Sequence, residues 1–258
     1  MLNYSIYNHS SSVEWVTFIH GAGGSSSIWH KQVRAFKAEF NVLILNLRGH
    51  GNSKINLTDK NIKYTFNIVT IDIVELLDYL DIKKSHFIGI SLGTIIIRNL
   101  AENHPNKVKS MVLAGAIMQL NMRSQVLMRL GILFKSILPY MLLYKFFAYI
   151  IMPRKNHKEA RLLFAREAKK LNQKEFIRWF NLTGEINPLL KRFRANDANI
   201  PTLYVMGNED HLFLSSAQKL AQEHELSVIY IVPDCGHVVN VEQPEIFNAQ
   251  SIQFISEH

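Results

Sequence analysis

A chain of 258 residues with 48% hydrophobic and 19% charged residues is long enough for one sizeable core and too apolar to be disordered. Its single cysteine, Cys235, excludes an internal disulfide and a cysteine-based zinc cluster. The formal charge of +8 is unevenly spread, with 16 Lys/Arg against 5 Asp/Glu in residues 118–198 and a slight acidic excess elsewhere; the basic character belongs to one segment, and no nucleic-acid partner is expected.

Met1 to Ser5 have no basic start followed by an apolar run, so no signal peptide is read and a cytoplasmic location is expected. Residues 4–7 read as a short edge strand and 15–19 as a buried one that ends at HGAGG, residues 20–24. Ser25 to Ser27 then offer an N-cap to a helix carrying Ile28, Trp29, Val33 and Phe36. The continuous apolar run 41–47 is the form a strand takes when helices cover both sheet faces, and it breaks at the turn-forming cluster RGHGNS. Val69, Ile73, Leu76, Leu77 and Leu80 recur at helical spacing. They feed the stretch SHFIGISLGTIIIRNL at 85–100, which reads as strand, sharp turn and helix with Ser91 at the apex.

Further strands are predicted at 109–116, 201–206 and 227–232, with helices near 216–225 and 244–255. This alternation implies an α/β fold, a mostly parallel central sheet with helices on both faces, in which ligands bind at the carboxyl ends of the strands. Residues 118–198 read as a helical cap inserted between core segments 1–117 and 199–258. The segment 126–152 is very apolar, but Arg129, Lys135, Pro139 and Lys145 interrupt it too often for a membrane span. Asn172 and Glu175 read as a capping pair ahead of Phe176, Trp179 and Phe180. Two readings of the cap stay open. Its helices pack on the core with their charges solvated, or they line an acyl pocket while a basic, apolar outer surface meets anionic lipid or a second subunit.

A nucleophile on a tight strand-to-helix turn needs glycine on either side, because a Cβ at position 89 or 93 would clash with the chain passing close by. The helix that starts there aims unpaired N–H groups, Leu92 first, at any oxygen anion formed on the serine. A serine also needs a base, and the base a carboxylate. GNED at 207–210 and CGH at 235–237 each follow a strand and offer His237 with Asp210 or Glu209. His20 is read as holding the 20–24 loop in shape; His50, His86, His104, His211 and His224 are read as surface or turn residues, with His211 adjoining Asp210. GAGG at 21–24 lacks the glycine at 26 that a dinucleotide turn requires, and no histidine pair has zinc spacing, so no cofactor and no metal are expected.

Five segments in order resemble the α/β-hydrolase fold family: HGAGG its oxyanion loop, LRGHGNS (47–53) its R-G-x-G-x-S turn, GISLG its nucleophile elbow, GNED its acid turn and GHVVNVEQPEIFN (236–248) its terminal segment. One departure is Asn46, where family members often carry Asp. The resemblance implies a helical cap, a catalytic triad of Ser91, Asp210 and His237 with Asp210 favoured over Glu209, an oxyanion hole from the backbone N–H groups of Ala22 and Leu92, and support from His20, Gly21, Gly89 and Gly93. The activity it implies is that of a carboxylesterase or lipase-like serine hydrolase, cleaving esters with an apolar acyl or alcohol group through an acyl-enzyme. The same residues serve thioester, lactone or carbon–carbon bond hydrolysis, and a slow-turnover ligand-binding or signalling protein on this scaffold is the alternative of another class.

Overall fold

The computed structural model describes residues 1–53 and 63–258. In chain order it contains β1 (Tyr4–Tyr7), β2 (Trp15–Ile19), α1 (His30–Lys37), β3 (Asn41–Leu45), α2 (Phe66–Tyr79), β4 (Ser85–Ile90), α3 (Leu92–Asn103) and β5 (Val108–Ala114). Five helices follow before the next strand: α4 (Met122–Phe134), α5 (Tyr140–Ile151), α6 (Lys158–Ala168), α7 (Gln173–Asn181) and α8 (Thr183–Ala195). The chain then returns with β6 (Thr202–Gly207), α9 (Leu214–Glu223), β7 (Ser227–Val232), α10 (Val239–Glu242) and α11 (Pro244–Ser256).

The strands form one sheet in the order β1-β3-β2-β4-β5-β6-β7, parallel throughout except for β1, which runs antiparallel to β3 at the edge. β3, β4 and β6 are buried along their whole length, as unbroken apolar runs require when helices cover both faces. One face packs Val69 and Ile73 of α2, Ile95 and Ile96 of α3 and Leu220 of α9; the other packs Phe36 of α1 and Phe247 and Phe254 of α11. Each such side chain contributes about 1.5–3 kcal/mol by leaving water.

β3 stops two residues short of the predicted apolar run. The Asn46 N–H still donates to the Asn3 carbonyl in the β1 register, but the Asn46 carbonyl accepts the Ser53 hydroxyl and the Leu47 N–H goes to His20 Nε2, which ends the ladder. Polar caps start the helices where the sequence offers them: Thr65 Oγ1 accepts the Ile68 N–H, Asn121 Oδ1 that of Ser124 and Asn172 Oδ1 that of Glu175. The Asn172–Glu175 pair is one-sided, because the Glu175 carboxylate turns to the Tyr64 hydroxyl and Arg178 instead of reaching back to the cap.

The strand order reverses between β2 and β4: β3 lies on one side of β2, and β4 to β7 extend from the other. The loops leaving β2 and β4 therefore part above a crevice, the position where open parallel sheets bind ligands. HGAGG leaves β2 there, and Ser91 leaves β4.

Candidate active site

β4 turns into α3 through Ser91, whose φ of 55° and ψ of −120° lie where side chains are rarely found and cost of order 1–3 kcal/mol. The neighbouring glycines make the turn possible. A Cβ on Gly89 would stand 2.5 Å from Ile97 Cδ1, and one on Gly93 would stand 2.5 Å from the Ile19 carbonyl oxygen. The Ser91 N–H is tied to the Ala114 carbonyl at 3.0 Å, which fixes the bend to β5.

The Ser91 hydroxyl donates to His237 Nε2 at 2.9 Å, and His237 Nδ1–H donates to Asp210 Oδ2 at 2.8 Å. Asp210 is buried, and its other oxygen accepts the Phe213 N–H at 3.2 Å, so both carboxylate oxygens are engaged and the imidazole tautomer is set. The Phe213 ring packs 5.2 Å from the imidazole. The three side chains come from the ends of β4, β6 and β7, and Gly207 lets the last two loops meet because the Cys235 and Gly236 carbonyls fill the space a side chain would need. Cys235 itself is buried, with its thiol pushed up by burial, and stays protonated.

Glu209, the alternative acid, points the other way. Its carboxylate takes Asn156 at 2.9 Å, His157 at 2.7 Å and Arg154, all from the link between α5 and α6, and these partners, the Asn156 hydrogen bond first, hold its carboxyl below the usual range. Glu242 completes this cluster: it accepts the Gly236 N–H at 2.8 Å and the Val238 N–H at 3.2 Å on either side of His237, and lies 3.7 Å from His157.

Facing Ser91 is the HGAGG loop. Leu92 opens α3, where first-turn N–H groups lack intrahelical acceptors, and Ala22 sits across from it against the same cavity. The peptide that joins Ala22 to Gly23 is held at both ends: the Ala22 carbonyl accepts the Tyr144 hydroxyl of α5, and the Gly23 N–H donates to His50 Nε2 at 3.0 Å. His20 Nδ1–H donates to the Gly21 carbonyl at 2.8 Å while its Nε2 accepts from Leu47, so the loop is pinned to the segment that follows β3 as well. His20 and His50 are fully buried with rings 4.9 Å apart; burial lowers the His20 pKa to about 4 and that of His50 well below its ordinary value, so both are neutral.

His50 stands in a turn, as its sequence context implies, but it is buried there and latches the loop. His224 is likewise a buried turn residue, 3.7 Å from Asp197, whereas His86 is neither turn nor surface: it is buried in β4 with Nδ1 against Ser110 Oγ at 2.7 Å. His211 is exposed, and His104 is partly so. Asn46 is buried, accepting the Ser26 N–H at 2.8 Å and donating to Asn3 Oδ1, so the amide supports the loop where family members often use an acid.

Above Ser91 the insertion closes a cavity of about 220 Å³. Its walls are Ile117, Leu127, Met128, Phe147, Ile151, Phe176, Trp179, Phe180, Ile186, Leu212 and other apolar side chains, with Tyr144, Ser124 and Thr183 as the polar members and no charged side chain. On the opposite side of Ser91 a pocket of about 30 Å³ touches His237, Gly21, Ala22 and the buried carboxylate of Glu167, which also accepts the Ser25 hydroxyl at 2.5 Å. Tyr144, Trp179 and Glu167 have no local sequence signal as site residues, because each reaches the core from the insertion across a long sequence separation.

The family model described as the alpha/beta hydrolase fold matches residues 14–131. RutD of Acinetobacter baylyi, a proposed carbamate hydrolase, is 28% identical over 98% of this chain and 98% of its own. The 3-oxoadipate enol-lactonase 1 of the same species is 25% identical over 90% of this chain and 85% of its own. Among solved structures, a hydrolase from Pseudomonas aeruginosa superposes with a TM-score of 0.84 at 23% identity, covering 98% of this chain and 94% of that one.

Proposed function

We propose that this chain, whose residues 14–131 match the alpha/beta hydrolase fold family model, is a member of that family and a serine hydrolase acting on uncharged carboxylic esters with a short apolar acyl or alcohol group. The observation that carries the proposal is the unbroken relay from Ser91 Oγ through His237 to Asp210 at 2.9 and 2.8 Å. Ser91 gives its proton to His237 Nε2 as the oxygen attacks the carbonyl carbon, and Asp210 stabilises the imidazolium that results. The oxyanion is received by the N–H groups of Leu92 and Ala22, in a site that the insertion keeps dry. His237 returns the proton to the departing alcohol, leaving Ser91 acylated.

Water then hydrolyses the acyl-enzyme with His237 as base. The small pocket beside His237 and Glu167 is large enough for about two waters. Substrate class follows from the larger cavity. At about 220 Å³ it lies below the roughly 300–1,000 Å³ of pockets that take drug-sized ligands, and none of its lining residues carries a charge, so a carboxylate or ammonium group there would be desolvated without a partner. The relatives' names span carbamate and lactone, whose hydrolysis passes through the same tetrahedral oxyanion.

Wild-type protein is expected to hydrolyse nitrophenyl acetate and butyrate and to be labelled by a fluorophosphonate, and Ser91→Ala to lose about 10⁶-fold in kcat together with all labelling. A wild type that shows neither turnover nor labelling would replace this reading with that of a ligand-binding protein on the hydrolase scaffold.

A further inference from the structure

The helices α4 and α5 carry apolar side chains on two sides at once. Leu127, Met128, Phe147 and Ile151 face the cavity above Ser91, whereas Met122, Leu133, Ile137, Leu142 and Tyr149 are exposed to water by 76, 63, 72, 55 and 62%. A helix apolar all round belongs in a core or against lipid, and the outward side of this hairpin is covered by none of the described residues.

The charges around it are of one sign. Residues 118–158 contain seven Lys/Arg and no Asp or Glu. Arg123, Arg129 and Lys145 are exposed among the apolar side chains and have no carboxylate partner among the described residues. Paired with itself across a two-fold axis this face would set like charge against like, whereas an anionic surface complements it.

The outer face also leads to the site. A groove of about 420 Å³ on the outside is lined by Met122, Arg123, Val126, Leu130, Ile150 and Leu127, and Leu127 lines the inner cavity as well. Leu127 thus borders both the exterior groove and the chamber over Ser91. Among the described residues no helix is long and apolar enough to cross a membrane.

We propose that the α4–α5 hairpin docks on an anionic phospholipid bilayer, its apolar side chains entering the headgroup boundary and its cations meeting lipid phosphates, so that esters dissolved in the bilayer enter past Leu127. The docking itself does not depend on the hydrolase reading, although the entry route does. Basic residues near such a surface each add about 1 kcal/mol of attraction, and exposed apolar side chains add the part that salt does not screen.

The test is co-sedimentation of the intact protein with vesicles of 70% phosphatidylcholine and 30% phosphatidylglycerol, against vesicles of phosphatidylcholine alone. Binding to the anionic vesicles is expected for wild type and equally for Ser91→Ala, which separates docking from catalysis. Arg129→Glu with Lys145→Glu and, separately, Leu133→Glu with Ile137→Glu are each expected to cut the bound fraction's partition coefficient by roughly tenfold or more, while hydrolysis of a soluble nitrophenyl acetate stays at the wild-type rate. Absence of binding at low salt, equal binding to both vesicle types, or a solution dimer that Leu133→Glu with Ile137→Glu converts to monomer would each overturn the proposal.

Discussion

The carboxyl edge of the sheet and the helical insertion obey opposite rules. At the sheet edge the groups around Ser91 are each held by two partners: Asp210 by His237 and Phe213, His20 by Leu47 and Gly21, and the Ala22–Gly23 peptide by Tyr144 and His50. The insertion contributes the apolar lining of the cavity, and its polar contacts to the core are anchors such as Tyr144, Trp179 Nε1–H to the Arg48 carbonyl at 3.0 Å, and His157 to Glu209. On the proposed function, reaction type is set in the hydrogen-bonded half, and choice of substrate in the half that supplies the apolar lining.

That division can be broken most severely at Asp210. Asp210→Asn leaves the shape intact but lets the His237 tautomer flip, and kcat is expected to fall about 10⁴-fold, read with a saturating short ester. Acid should act next, and through stability. Unfolded, His20 and His50 titrate near pH 6.5, while folded His20 titrates near 4 and burial holds His50 well below its ordinary value too; the unfolded chain therefore binds more protons as pH falls from 6.5 toward 4, and stability falls as pH drops through that window. For His20 alone the loss by pH 4 is about 3 kcal/mol. Urea midpoints that stay flat from pH 7 to 4.5 would contradict the neutral, buried assignment.

A milder break lies at the contact between the two halves. Tyr144→Phe frees the Ala22 carbonyl without changing the cavity's apolar lining, so roughly a tenfold fall in kcat with an unchanged KM is expected, less than the ~10²–10³ for losing a donor outright. Within the cavity, Phe180→Ala should move the preferred acyl length up by a few carbons in a nitrophenyl ester panel, each added methylene being worth about 0.8 kcal/mol. The smallest effect on turnover is expected for Glu209→Gln, under about threefold, and a collapse of activity there would return Glu209 to the role given to Asp210.

Much of the hydrogen-bonded half was legible beforehand because its signals are local. GISLG names its own turn through two glycines, HGAGG and GNED stand directly after an apolar run, and CGH follows one after Pro233 and Asp234. The strands at 15–19, 41–45 and 202–207 are continuous apolar segments that helices on both faces must cover. What escaped reading is what the insertion brings from afar. Nothing near Tyr144 points to Ala22, 122 residues earlier, and His50 looks like one more polar turn residue until Trp179 and His20 enclose its ring. Glu209 and Asp210, adjacent and chemically alike, are told apart only by direction, and the hydrogen-bonding partners decide that.

Those two consecutive acids set a rule for anyone who would exchange the helical half for another. Glu209 is almost enclosed, its side chain 7% exposed, and its counter-groups Arg154, Asn156 and His157 all belong to the exchanged part. A chimera that keeps residue 209 but discards its partners strands a carboxylate one peptide bond from the acid of the relay. Swapping specificities on this scaffold accordingly means transplanting position 209 along with the helices.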